Sequence, residues 1–447
     1  MINFLNFKIK NLKKKDYFIF FFFILILIVL NLIFIKYWII SHPYQIDNYG
    51  NIINRIQFYF EQPLDNLLNN KPPTNTIADI EFKISKMPLL IYFLYYFQIY
   101  ISKNFVIIHL FKNIFLSSII FILIKKYDMK LNNLFLICCL LLIYTIPHNI
   151  VSMLAITPEE SILIYFVIIL FFLITGEYKF RNYYIAIIVS LIFFTKGSMF
   201  YLSFGISLIY FIYEKKKQKC LPLIFVIFCS IIWGLNSYYK TGKFAFATST
   251  TSLNGLTTGI VFHKDFTKSY PLMNPDIYWN DVLEEIKNKN IKDEWQADKY
   301  IREKSIKYIL ENPGDVFYGI LKKLYVILIS PYKDTRTDDQ LINENYKNPI
   351  RFSNFINKPL FIISIILLLY SISNFRKVNS KIKKISIYYL SILVFYFFPY
   401  LAAYIFPRHC VAMYILGFIY ILFFFTYHDN CKIVKNFFLK KNFKKIT

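Results

Sequence analysis

A chain of 447 residues is long enough for several soluble domains, but 56% hydrophobic residues and a mean hydropathy of +0.44 exclude an ordinary soluble protein and assign most of the length to a bilayer. The net charge of +25 would point to nucleic acid in a soluble chain, so its distribution has to be followed along the sequence before the total is used. Aromatic residues make up 20% and only 11 residues are glycine, which predicts bulky helix packing rather than close glycine contacts.

The first apolar run, Tyr17 to Ile40, is longer than a signal-peptide core and is followed by Ser41-His42-Pro43, a poor small-residue cleavage site; it reads as an uncleaved anchor. A span needs about 20 apolar residues, and the further candidate runs are 105–124, 131–147, 160–175, 182–195, 198–213, 221–236, 359–375, 385–406 and 411–427. About ten spans with both termini inside are therefore expected. The basic N-terminus (Lys8 to Lys15) is matched on every second connection, at Lys125/Lys126/Lys130, Lys179/Arg181, Lys215 to Lys219 and Arg376 to Lys384, and again in the C-terminal tail. These stretches hold 25 Lys and Arg against five acids, which accounts for +20 of the +25. The excess obeys the positive-inside rule, and nucleic-acid binding is not needed to explain it.

Two further apolar stretches, 89–102 and 316–330, would break that alternation as spans; the first is too short and the second carries Lys322 and Lys323, so both are expected to lie in the interface. Two long segments, 41–104 and 237–358, then face the extracytoplasmic side, the second with helical patterning from Pro275 to Asn312. The expected organisation is an N-terminal transmembrane module over 1–236, an extracytoplasmic helical segment over 237–358, and C-terminal helices with a basic tail over 359–447. The six cysteines show no paired spacing, and no P-loop, GxGxxG, HExxH or GxSxG motif is present.

Ionisable groups near membrane depth are costly and mark candidate sites. Asp47, just past the first run, suits a general base, although a loop acid or helix cap before Asn51–Tyr59 is the plainer reading. Lys86 before Pro88, and Lys112, Lys196 and Arg408, read either as phosphate-holding point charges or as snorkelling cations. Lys196 and Arg408 stand at outer helix ends, where a positive charge is disfavoured and therefore suggests an anion. Pro158-Glu159-Glu160-Ser161 is a strong helix start, with Thr157 and Glu160 in capping-box spacing; Glu160 also has the position to face inward and bind a polar group. His109, Lys112 and Asn113 form a polar stripe that reads as helix–helix glue. The Ser/Thr/Gly-rich stretch after Trp233 reads as loop.

Taken in order, these features resemble the GT-C membrane glycosyltransferases, in particular the branch of dolichyl-phosphate-mannose protein mannosyltransferases and aminoarabinose lipid A transferases. The resemblance spans nearly the whole chain: Asp47 after the first run, Lys86-Met87-Pro88-Leu89, Pro147 followed by Glu160-Ser161, Phe194-Thr195-Lys196-Gly197, Trp233 and Asn236 before Thr241-Gly242-Lys243-Phe244, Asn312-Pro313, and Arg408. Asn48 stands where relatives often carry a second acid, and His409 where tyrosine is usual. The resemblance implies an all-α GT-C-like polytopic bundle in a bacterial inner membrane. It further implies transfer of a sugar from a polyprenyl-phosphate donor to a glycan, lipid or protein acceptor on the extracytoplasmic face. Asp47 would be the base, Lys86, Lys196 and Arg408 would hold the donor phosphate, and Tyr49, Asn48, Glu160 and His409 would line the pocket. A divalent metal is compatible with that chemistry, but no ligand cluster demands one. The rival classes are a lipid flippase or transporter and an O-antigen-polymerase-like enzyme; the long outer segments and the lack of paired interrupted helices favour a surface enzyme.

Overall fold

The computed structural model describes residues 14–41, 56–77, 80–84, 87–102, 104–127, 158–214, 218–246, 248, 284–329, 344–402 and 407–428. Among these the chain is almost wholly helical: α1 (Lys14–Ser41), α2 (Ile56–Leu68), α3 (Pro88–Tyr100), α4 (Phe105–Lys126), α5 (Pro158–Thr175), α6 (Arg181–Thr195), α7 (Phe200–Tyr213), α8 (Leu221–Thr241), α9 (Glu294–Glu311), α10 (Pro313–Leu328), α11 (Glu344–Ser373), α12 (Ser380–Ala402) and α13 (Pro407–Tyr427). Five helical stretches, Val106–Ile124, Leu221–Thr241, Phe355–Ser373, Ser380–Ala402 and His409–Tyr427, are long and apolar enough to cross a membrane, and Tyr17–Ile33, Arg181–Thr195 and Gly197–Tyr213 are shorter apolar helices. The expected runs thus appear as helices, except 131–147, which lies outside the described residues. The helix expected from 359 is already formed at Glu344, and of the Asn51–Tyr59 segment the described residues, from Ile56 on, are helical.

The centre of the bundle follows from sequence. In α5 every position from Glu159 to Thr175 is buried, as expected of a helix apolar on all sides. It packs against α4, α6, α12 and α13. Tyr165, Phe171 and Phe172 are fully enclosed there, and Phe171 and Phe172 meet Phe423 of α13. Around this core α8 leans on α6, α11 on α13, α7 on α12 and α1 on α4. Their outward faces remain rich in exposed Phe, Ile and Leu, for example Phe228, Leu235, Ile366 and Leu369, which is stable only against lipid.

One end of the bundle gathers the basic connections. Arg181 at the start of α6 pairs with Glu214 after α7 at 2.7 Å, and Lys384 of α12 reaches the same carboxylate at 2.7 Å. Tyr178 donates to the Leu123 carbonyl at the end of α4, and Lys381 lies over the rings of Tyr127 and Tyr427. Burial alone would push the Glu214 carboxyl up; the hydrogen bond from Lys384 and the Arg181 and Lys384 charges outweigh it and hold the group below the usual carboxylate value.

At the opposite end the segments around 75–82 and 284–311 pack on each other. An antiparallel hairpin, β1 (Asn75–Ile77) and β2 (Ile80–Phe82), pairs Asn75 with Phe82 and Ile77 with Ile80. It is a small exception to the expected all-α fold. Ile80 and Phe82 bury against Ile286, Ala297 and Ile301, so the helical pattern read at Ile286 and Ile301 finds its partner in the earlier segment. The helices there are a turn at 284–288 and α9, whose N-cap Asp293 accepts from the backbone N–H of Trp295 and Gln296. Trp295 Nε1 donates to Thr241 Oγ1 at 2.9 Å and ties α9 to the end of α8. Gly242 ends α8 at φ +73°, a left-handed cap that costs glycine little. The chain then reverses and lays Phe244 over Gly234, where a Cβ would come within 2.3 Å of the ring.

Candidate functional site

Three of the sequence-derived candidates meet at the end of the bundle remote from the Arg181–Glu214 clamp. The α6–α7 hairpin carries Lys196 at its apex: Thr195 closes α6 by bonding back to the Leu191 carbonyl, Lys196 is extended, and a 3-10 turn (Gly197–Met199) opens α7. Glu160 is the third residue of α5. His409 is the third residue of α13, whose first residue is Pro407, a position where the missing N–H is harmless.

The Glu160 carboxylate is 2% exposed and accepts a short hydrogen bond from Lys196 Nζ. Tyr400 OH of α12 donates to both of its oxygens, at 3.0 and 3.3 Å. Lys196 Nζ reaches Tyr400 OH at 3.3 Å and stands 5.0 Å over its ring. His409 Nε2 lies 3.6 Å from Glu160 Oε1, and its ring stacks on Tyr400 with centroids 4.3 Å apart. A carboxylate, an ammonium, a phenol and an imidazole therefore form one buried group from four helix ends.

Tyr400 was not anticipated. The signal for it is Pro399-Tyr400 in an otherwise apolar run, since a proline near the end of a span marks a helix end. Lys196 and Lys112 do not snorkel: the Lys112 ammonium is buried and donates to Ser161 Oγ at 2.5 Å, one residue from Glu160. The polar stripe does act as glue. His109 Nε2 and Asn113 Nδ2 both meet Asn31 Oδ1 of α1 at 3.1 Å, and Tyr165 OH of α5 donates to Asn113 Oδ1 at 2.8 Å. Beside the cluster, Glu159 is buried, and its Oε2 has no hydrogen-bond partner among the described residues, an acceptor suited to a hydroxyl.

Asp47, Asn48, Tyr49 and Lys86 lie outside the described residues, as does the side chain of Arg408. Met87 does pack on the site: a Cβ on Gly197 would stand 3.7 Å from both Met87 Sδ and Thr248 N. Met87, the Lys196–Gly197 turn and Thr248 therefore converge. From Pro88 an open apolar groove of about 600 Å³ runs between α3 and α4, lined by Leu89, Tyr92, Tyr96, Phe111 and Phe194 among others. Phe194 is two residues from Lys196.

From the late segment, Lys323 of α10 donates to the Leu401 carbonyl at 2.8 Å, next to Tyr400, and burial lowers this ammonium to about 8. Among the described residues no group of three or more His, Cys, Asp or Glu side chains is placed to hold a metal ion.

These features define an all-α membrane protein with a buried acid–cation cluster at one end of its bundle and a basic clamp at the other. No family model, curated protein or solved structure matches the chain.

Proposed function

We propose that this protein is a membrane glycosyltransferase of GT-C type that transfers a sugar from a polyprenyl-phosphate donor to an acceptor at the extracytoplasmic surface of a bacterial inner membrane. One observation carries the reading: Lys196, His409 and Glu160, far apart in sequence, meet at a helix end, and Phe194, two residues before Lys196, lines an aromatic groove. A cationic head site near an apolar groove suits an amphiphile with an anionic head, and a Glu159 oxygen with no partner among the described residues suits a ligand that also carries hydroxyls. The clamp at Arg181, Glu214 and Lys384 lies on the opposite end, which supports an outward-facing site under the positive-inside rule.

In this mechanism Asp47 takes the proton of the acceptor hydroxyl as its oxygen bonds the sugar's anomeric carbon. The carbon–oxygen bond to the phosphate breaks, and the electron pair leaves with the lipid phosphate. Lys196, with Lys86 and Arg408, neutralises that charge, and His409 and Tyr400 order the pocket. The isoprenoid tail lies along Tyr92, Tyr96 and Phe111. The test is transfer in vitro from a radiolabelled polyprenyl-phosphate sugar, with Asp47→Asn as the variant. Loss of transfer at normal membrane insertion is expected, and full activity in the variant would remove Asp47 as the base.

A lipid flippase or transporter remains the second reading, favoured by the polar residues Asn31, His109, Lys112 and Asn113 buried between α1, α4 and α5. Lipid translocation without sugar transfer in reconstituted vesicles would select it.

A further inference from the structure

Side chains from three separate helix ends face a single carboxylate. Lys196 and Tyr400 both donate to Glu160, and His409 Nε2 stands 3.6 Å from Glu160 Oε1. An ammonium and a phenol donating to one carboxylate, with an imidazole nitrogen close by, is the kind of group that makes an anion site. Here the chain itself supplies the anion. The pair is also asymmetric: the Lys196 side chain is 19% exposed and Glu160 only 2%, so the cation is the more accessible partner.

We propose that Glu160 is a resident anion, holding the place of one phosphate oxygen of the lipid-linked donor, and that ligand binding exchanges the carboxylate for phosphate on Lys196 and Tyr400. The inference rests on the lipid-phosphate reading above. It explains how a cation disfavoured at an outer helix end is kept when no substrate is bound, because Lys196 is neutralised within the fold instead of facing the membrane surface as a bare charge. The donor's phosphodiester matches the carboxylate in charge and in free oxygens, and the exchange becomes favourable as the sugar leaves, when the lipid monophosphate offers more negative charge and three acceptor oxygens against two. It leaves Glu160 well placed, since the third position of α5 lies in the first helical turn, where backbone N–H groups lack intrahelical partners and the helix dipole favours an acid. The Arg181–Glu214–Lys384 group differs in its balance: Lys384 is 17% exposed, but both cations also reach Glu177, so two acids hold them and neither cation depends on a single carboxylate.

The experiment measures binding of farnesyl phosphate, with farnesol as the phosphate-free control, to the full chain in lipid nanodiscs. If Glu160 competes with phosphate, Glu160→Gln tightens farnesyl phosphate binding by about tenfold and leaves farnesol unchanged. Glu160→Asp, which keeps the charge but draws it back by one methylene, also tightens binding and decides the matter where the glutamine variant does not insert. Lys196→Met weakens phosphate-dependent binding in either background. Equal or weaker farnesyl phosphate binding in the Glu160 variants, with phosphate dependence intact in the parent protein, overturns the exchange alone and makes Glu160 a positioning residue. Equal tightening for farnesol assigns the effect to the groove and overturns it too. If the parent protein binds farnesyl phosphate no better than farnesol, both the exchange and the lipid-phosphate reading fall.

Discussion

The two ends of the bundle use the same chemistry for different purposes. At the basic end, Glu214 receives Arg181 and Lys384 at 2.7 Å each, with Tyr388 OH as a further donor at 3.4 Å and the Arg181 guanidinium 5.3 Å over the Tyr210 ring. At the other end, Glu160 collects Lys196, Tyr400 and His409 near an open groove. Both bury charge, which is costly unless the charge is paired. The first group shares two cations, Arg181 and a 17% exposed Lys384, between Glu214 and Glu177 and joins α6, α7 and α12; the second sets one partly exposed cation against one buried acid. A buried ion pair becomes a candidate site when its reachable cation is held by a single acid.

The sharpest way to break this comparison is to remove a cation from the Glu160 end. Lys196→Met is expected to lower sugar transfer by ~100-fold or more, the scale for losing one charge-stabilising group, and Lys196→Arg should recover part of the rate. If Lys196→Met keeps full transfer, the Glu160 end is structural like the basic one. Next in size, Glu214→Gln leaves Arg181 buried against a neutral partner and should cost about 3 kcal/mol of stability, seen as a lower unfolding midpoint with lipid binding unchanged at permissive temperature. An unchanged midpoint would show that the clamp is not what holds that end together.

The same group sets a pH dependence. Because the Glu214 carboxyl is held below its ordinary value of 4.5, its pairing contributes stability above that pH, and the contribution is lost as pH falls through the folded-state value. Thermal unfolding followed from neutral to acidic pH should therefore show a drop in the parent protein that is smaller in Glu214→Gln; parallel curves would contradict the assignment. Gly234→Ala, which forces a Cβ to within 2.3 Å of the Phe244 ring, is expected to cost about 1–3 kcal/mol and to loosen the wall behind the site. The smallest effect is expected from Lys304→Ala in the outer segment. Lys304 and Tyr300 hydrogen bonds hold the Glu285 carboxyl low, but the Lys304 pair is half exposed, so the midpoint should move by no more than about 0.5 kcal/mol equivalent.

Composition and periodicity by themselves determined most of the architecture. Runs of about 20 apolar residues have few alternatives to helix once water is excluded, because every backbone polar group must bond within its own segment. That is why α4, α5, α8, α12 and α13 fall close to where hydropathy puts them. The charge alternation likewise anticipated that Arg181 and Lys384 would share an end, and they meet on Glu214. Lys196 and Glu160 stood out as costly groups at helix ends, and His409 entered only as a pocket residue implied by the resemblance.

Their meeting was a matter of tertiary structure. Hydropathy fixes that a helix is buried but not which neighbour it faces, so nothing local indicated that Tyr400 would bridge Lys196 to Glu160, or that Glu160 would meet His409 rather than serve only as a capping residue. The hairpin at 75–82 was hidden for the same reason. Its strands are three residues each, too short for a period to register, and they exist because Ile286 and Ile301, more than 200 positions later in the chain, supply the apolar surface that Ile80 and Phe82 cover. Local sequence sets which charges a membrane helix can bear only at a cost; packing between distant helices decides which partner offsets that cost.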